Sequence, residues 1–437
     1  MGLDTSASRR ALAGLAMLYF CCTADASSSA AAGMHLGVAS CAGSNCHGNN
    51  AAQTPAQGVL HNEYLTWQRE DTHASAFRSL FTPRALAIGK RLGIADPANS
   101  ETCIDCHADD VPAAKRGPRF SLSDGIGCEA CHGGSSSWIV DHAVAHRSHA
   151  ANIKEGMYPT EDPAARAELC LGCHYGAPDK LMTHAIMAAG HPPLLFELTT
   201  YTAIQPAHYR VDPVYRQRKH YVGPADTWAM GQAVAAEKVL EGLATRGLQS
   251  PAGAVPDFYL YDCYSCHQTL RTDSDLVTAG GAQLPLAVGS LQMLGVILDA
   301  GSPDLAQGWS QAMAALHGAS SQTALADAVA RLQPLATQAA DALAKQTLDG
   351  LVRRRIVLAL AELGTHTSYS DRSLADQTVM AMTALYHGNS EAGEESSAFG
   401  PQFLKSLDAA YKALGSVSEF NLPAYRDAMG QIQKSIK

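Results

Sequence analysis

The sequence predicts a mostly α protein in two parts: an N-terminal region of little regular structure (27–275) and a C-terminal α-helical bundle (281–437). Three observations carry this reading. Cysteine and histidine crowd into repeated segments before residue 270, strand-like alternation is sparse, and the tail is rich in Ala and Leu with apolar spacings of three and four. A chain of 437 residues, 46% hydrophobic and 17% charged, suits a globular protein of two or three domains. Its 32 Lys and Arg stand against 41 Asp and Glu, a net charge of −9, so the basic footprint of a nucleic-acid binder is missing.

The first residues read as a Sec signal peptide. Arg9 and Arg10 precede an apolar run from Ala11 to Cys22, and Ala24-Asp25-Ala26 forms an A-x-A site, so cleavage is expected after Ala26. The run of twelve is too short for a membrane span, which needs about 20 residues. Bulky Leu18-Tyr19-Phe20 argues against lipid attachment at Cys21 or Cys22. No later run is long enough to cross a bilayer, so the mature chain is expected to carry no integral membrane segment and to be periplasmic or secreted.

Cleavage removes two of the 12 cysteines, and the remaining ten all fall in one pattern. Cys103/Cys106/His107, Cys128/Cys131/His132, Cys170/Cys173/His174 and Cys263/Cys266/His267 are four copies of C-x-x-C-H, the attachment signature of c-type haem. Chance at this composition supplies roughly 0.01 copies. Positions i, i+3 and i+4 share one helix face, so both thiols reach one porphyrin while the imidazole meets its iron. Cys41, Cys46 and His47 form a longer C-x4-C-H, which no straight helix places on one face. Residues 42–45 are therefore expected to loop out, as Gly43, Ser44 and Asn45 permit. Five covalent haems c follow, with His47, His107, His132, His174 and His267 as proximal ligands. A disulfide framework leaves the His after each pair unexplained. Zinc needs two pairs per ion and five is odd, and thioredoxin-like pairs come one per domain.

Ten of the other 13 histidines lie between His35 and His220, where five irons each have a sixth position to fill. His73, in the helical-looking stretch from Trp67, and His142, after Trp138, are the first two candidate distal ligands. His184 and His191, seven apart, would share a helix face about 10.5 Å apart along the axis if one helix persisted to His191, where Gly190 and Pro192-Pro193 are expected to end it. His208 completes the set, with His35, His61, His146, His149 and His220 as competitors.

Three segments carry a family resemblance: Trp67 to His73-Ala74; Gly125-Ile126-Gly127-Cys128-Glu129-Ala130-Cys131-His132-Gly133 with Trp138 and His142; and His184 to His191-Pro192. Together, over about residues 35–270, they resemble the cytochrome c-554 family of multihaem c-type cytochromes. The glycine-flanked attachment element is shared with relatives of hydroxylamine oxidoreductase and of the pentahaem nitrite reductases, and is specific for haem packing rather than for a reaction. The resemblance implies a multihaem cytochrome c core of closely paired haems and periplasmic electron transfer. The chain departs from the family's named member in having five attachment sites rather than four, one of them C-x4-C-H, and a long tail. The C-x-x-C-K site of the nitrite reductases is absent.

Further along, Asp226 to Arg246 reads as a helix that buttresses the last haem, and Phe196 to Tyr201 as a short strand or a loop over a haem. In the tail, helices are expected over Leu286–Ala300, Asp304–His317, Gln322–Leu343, Leu351–Leu363, Leu374–His387 and Gln402–Leu414. Arg353-Arg354-Arg355 reads as a solvated face. With ten haem propionates added to an acidic chain, redox partner proteins of neutral or basic surface would be steered toward it. The function expected is electron transfer through closely packed, mainly bis-His haems. The rivals are a multihaem oxidoreductase acting on a small nitrogen or sulfur species at one open haem, and a polymerising haem-wire subunit.

Overall fold

The computed structural model describes residues 33–50, 59–144, 146–177, 180–247, 258–261, 286–366, 372–391, 399–415 and 419–436. The leader and the motif at Cys263, Cys266 and His267 lie outside them. Among the described residues there are eighteen α-helices and one antiparallel hairpin, β1 (Gly176–Ala177) with β2 (Lys180–Leu181), so the protein is mostly α.

Ten helices precede the long one: α1 (Glu63–Glu70), α2 (Ala76–Ser79), α3 (Pro83–Leu92), α4 (Glu101–His107), α5 (Cys128–His132), α6 (His149–Lys154), α7 (Pro163–His174), α8 (His184–Ala188), α9 (Leu198–Ile204) and α10 (Pro213–Arg218). All are short and linked by turns and single 3₁₀ turns. Local chemistry starts them. Thr82, Asp162, Thr183 and Asp212 each cap an N-terminus with a side-chain oxygen, and Pro sits in the first turn of α3, α7 and α10. Two expectations are corrected here. Phe196 to Tyr201 is no strand: buried Glu197 accepts the Thr199 and Thr200 amides and starts α9. The helix from His184 does not reach His191, because Gly190 turns the chain at φ 113° one residue earlier.

α11 (Pro224–Gly242) is buried on nearly every face, and its Trp228, Ala229, Ala233 and Leu240 are fully enclosed. It packs on α7 and α9 and also on α12 (Gly289–Gly301), α14 (Gln322–Leu343) and α16 (Arg372–Glu391). Buried polar bonds tie these layers: Gln232 donates to Gln377 (2.9 Å), and Gln377 donates to the Phe196 carbonyl (2.9 Å). α13 (Pro303–His317), α15 (Gly350–Thr365), α17 (Pro401–Leu414) and α18 (Leu422–Ser435) complete the bundle. α18 was not foreseen, although Asn421 and Pro423 supply its cap and first turn. Arg353 is also corrected. It is 4% exposed, donates to the Leu348 carbonyl and lies near Asp226, whose carboxylate accepts the Leu348 amide at 2.7 Å. Arg355 is the exposed member of that run.

Candidate functional site

Three of the described motifs end a helix, so the spacing reads out as one face. Cys103, Cys106 and His107 close α4, Cys128, Cys131 and His132 make up α5, and Cys170, Cys173 and His174 close α7. The longer motif follows a 3₁₀ turn, Val38–Ser40, and loops. The His47 amide reaches back to the Cys41 carbonyl (3.2 Å) while Cys46 bonds Gly43 (2.8 Å), so residues 42–46 bulge out between them. None of the eight described cysteines is in a disulfide.

The four motif imidazoles each meet one other imidazole from far away in the chain. His47 faces His142 at 6.1 Å between ring centroids, nearly parallel (18°). His107 faces His191 at 6.2 Å (83°), His132 faces His208 at 6.3 Å (88°), and His174 faces His73 at 6.0 Å (90°). Of the expected distal set, His73, His142, His191 and His208 are thus brought to a motif histidine, while His184 opens α8. Other work occupies several competitors. His35 bonds Asp109 through Nδ1 (2.7 Å), His61 bonds the Cys46 carbonyl through Nδ1 (2.8 Å), and His149 meets Glu161 through Nε2 (2.8 Å). His146 and His220 are exposed.

Partners at Nδ1 hold several of the paired rings and leave Nε2 as the nitrogen available to a metal. His47 meets Glu63 (3.0 Å), His73 meets Asp71 (2.9 Å), His107 meets the Ala76 carbonyl and Ser79 hydroxyl (both 3.0 Å), His142 the Ile139 carbonyl (2.5 Å) and His191 the Pro192 carbonyl (2.8 Å). Glu63 and Asp71 were not foreseen; the Asp-x-His spacing at 71 and 73 was the available signal. Electrostatics favours the neutral imidazole at four of the eight paired rings. Burial pushes His132 down to about 3 and His174 down to about 4, and lowers His107 and His142. His47 is raised instead, chiefly by its bond to Glu63. At Asp71 burial opposes the charge, yet bonds from His73 and Gln205 hold the carboxyl at about 2.

The glycine-flanked element packs against the Trp67 segment. Trp67 Nε1 donates to the Ile126 carbonyl (2.9 Å), and the Ile126 amide donates to the His73 carbonyl (3.0 Å). Gly125 sits at φ 71°, and a Cβ there would lie 2.5 Å from that His73 oxygen, so only glycine allows the approach. Glu129, which follows Cys128 in its motif and is 3% exposed, accepts the amides of Leu36 (2.7 Å), Gly37 (2.6 Å) and Ser135 (2.8 Å). The His191 turn is clamped from α3, where Arg91 donates to Ala189 (2.6 Å) and Arg84 to Gly190 (2.7 Å). Motifs also approach one another: the Cys41 thiol lies beside that of Cys128, and the Cys106 thiol beside that of Cys173. Burial pushes the Cys131 thiol up to about 12 and Cys170 up to about 11.

These residues fit haem c. A metal–imidazole bond of about 2.0–2.1 Å, with the ring centre about 1.1 Å behind the nitrogen, separates two rings that share one ion by roughly 6.2 Å. The observed 6.0–6.3 Å matches, and each pair has two thiols beside its motif histidine. Among the described residues no three His, Cys, Asp or Glu side chains converge as an all-protein metal cage. In comparison with known families, residues 40–133 match the family described as cytochrome c554 and c-prime. The chain resembles that multihaem family there, which supports a c-type cytochrome of electron transfer with covalently bound haem c. No curated protein and no solved structure matches the chain. No described helix is long and apolar enough to cross a membrane.

Proposed function

We propose that the chain is a periplasmic pentahaem c-type cytochrome that passes single electrons along closely packed, mainly bis-His haems. The observation that carries this is the meeting of four motif histidines with four non-motif histidines at 6.0–6.3 Å. On this reading the pairs His47/His142, His107/His191, His132/His208 and His174/His73 would each hold one haem iron, and His184 remains a candidate distal ligand. The haem c they hold supplies a one-electron iron couple. The polypeptide's part is to attach, orient and desolvate. Cys41, Cys46, Cys103, Cys106, Cys128, Cys131, Cys170 and Cys173 anchor, the Nδ1 partners set ring orientation, and burial keeps water from the rings. Contact of Cys41 with Cys128 and of Cys106 with Cys173 supports neighbouring sites in the pairs 47–132 and 107–174. A Sec leader ending at Ala26 and redox partner proteins as donor and acceptor belong to the same reading.

The test is haem content together with an EPR spectrum of the oxidised, purified protein, with spins integrated against haem. Five haems per chain, all low-spin, is the expected result. One high-spin iron in five that responds to nitrite, hydroxylamine or cyanide would overturn the relay in favour of an oxidoreductase with an open haem. End-to-end polymers in gel filtration would favour a haem wire.

A further inference from the structure

The Nδ1 partners of the paired rings divide into two chemical kinds. At His47 and at His73 the acceptor is a carboxylate, each held by its second oxygen. Glu63 Oε2 takes His47 while Oε1 accepts the Leu60 amide (2.8 Å), and Asp71 Oδ1 takes His73 while Oδ2 accepts from Gln205 (2.9 Å). At the His107/His191 pair both rings meet neutral oxygens, Ala76 and Ser79 on one side and Pro192 on the other. A carboxylate acceptor draws the Nδ1 proton harder than a carbonyl does, gives the ring more imidazolate character and makes it a stronger donor to ferric iron. Such a ligand stabilises the oxidised iron. Resting on the axial pairs proposed above, we propose that Glu63 and Asp71 are potential-setting residues that hold the His47 and His174 haems at lower potential than the His107 haem.

Ring planes supply a way to watch one site alone. His47 and His142 are 18° apart, whereas the other three pairs lie at 83–90°. Near-parallel imidazoles split two iron d orbitals and give a rhombic low-spin signal; perpendicular ones leave them nearly degenerate and give a broad signal at large g. The experiment is an EPR-monitored redox titration of the haem-loaded protein and of its Glu63→Gln, Glu63→Asp and Asp71→Asn variants. In the wild type the rhombic component should be among the last reduced. Glu63→Gln, which keeps an acceptor oxygen but not the carboxylate, should move that component alone to more positive potential, Glu63→Asp should return it toward wild type, and Asp71→Asn should move a different, broad component. The inference is overturned if all haems are low-spin and neither amide variant moves any midpoint, or if the wild-type rhombic component is reduced first. A high-spin or missing signal in the wild type would instead sink the axial-pair reading beneath it. If Glu63→Gln fails to load haem, the wild-type ranking and Asp71→Asn still decide the question.

Discussion

Replacing Glu129 by Ala should open the N-terminal seal of the first and third attachment sites while leaving the bundle intact. The carboxylate is 3% exposed and accepts three backbone amides at 2.6–2.8 Å, those of Leu36, Gly37 and Ser135. Hydrogen bonds to a charged group contribute about 1.5–3 kcal/mol each, and a deleted acceptor also leaves buried donors unpaired. Three such bonds set a ceiling near 4–9 kcal/mol, but they act as one unit and water enters the gap, so the expected local loss is about 4 kcal/mol. That corresponds to roughly a thousandfold rise in local opening. Glu129→Gln should lose about half as much, since one amide group must then face a backbone donor. The assay is hydrogen exchange by mass spectrometry on the haem-loaded protein, comparing peptides across 34–38 and 133–137 with peptides of α14. A rise of less than tenfold in the first two peptides would refute the reasoning, as would an equal rise in α14.

Other outcomes follow from the same geometry. His208→Ala should produce a high-spin signal from about one iron in five, while His149→Ala should not, because His149 Nε2 is already engaged by Glu161 at 2.8 Å; high-spin iron in the second variant but not the first would reverse that assignment. Arg353→Ala should cost about 2–3 kcal/mol in denaturant unfolding through loss of its buried bond to Leu348, and Arg355→Ala within about 0.5 kcal/mol. For Glu161, burial opposes the charge but the close ion-pair contact with His149 wins, so its folded pKa lies below the ordinary 4.5. Its stabilisation is therefore present above 4.5 and lost as pH falls through the folded value. The stability gap between wild type and Glu161→Gln should be open at pH 7 and closed well below pH 4, as read from melting at a series of pH values.

Periodicity is a local property, and what depended on it was legible in the chain. The three described i, i+3, i+4 motifs fall on helix ends, the C-x4-C-H segment loops, and Gln322–Leu343 has the bounds its apolar spacing predicts. Capping inside a broken stretch was harder to see: Glu197 turned an apparent strand into a helix, and Gly190 ended a helix before His191. Burial of Arg353 could not be read from a run of three arginines, because it depends on Asp226 lying beside it, 127 residues away. The same holds for the histidines. Sequence alone determined which imidazoles sit beside paired thiols, since covalent attachment needs fixed spacing along one face. Only the tertiary structure decided that His73 meets His174 and that His132 meets His208, because a contact across 101 or 76 residues is set by how the intervening segments pack, and no local pattern encodes it.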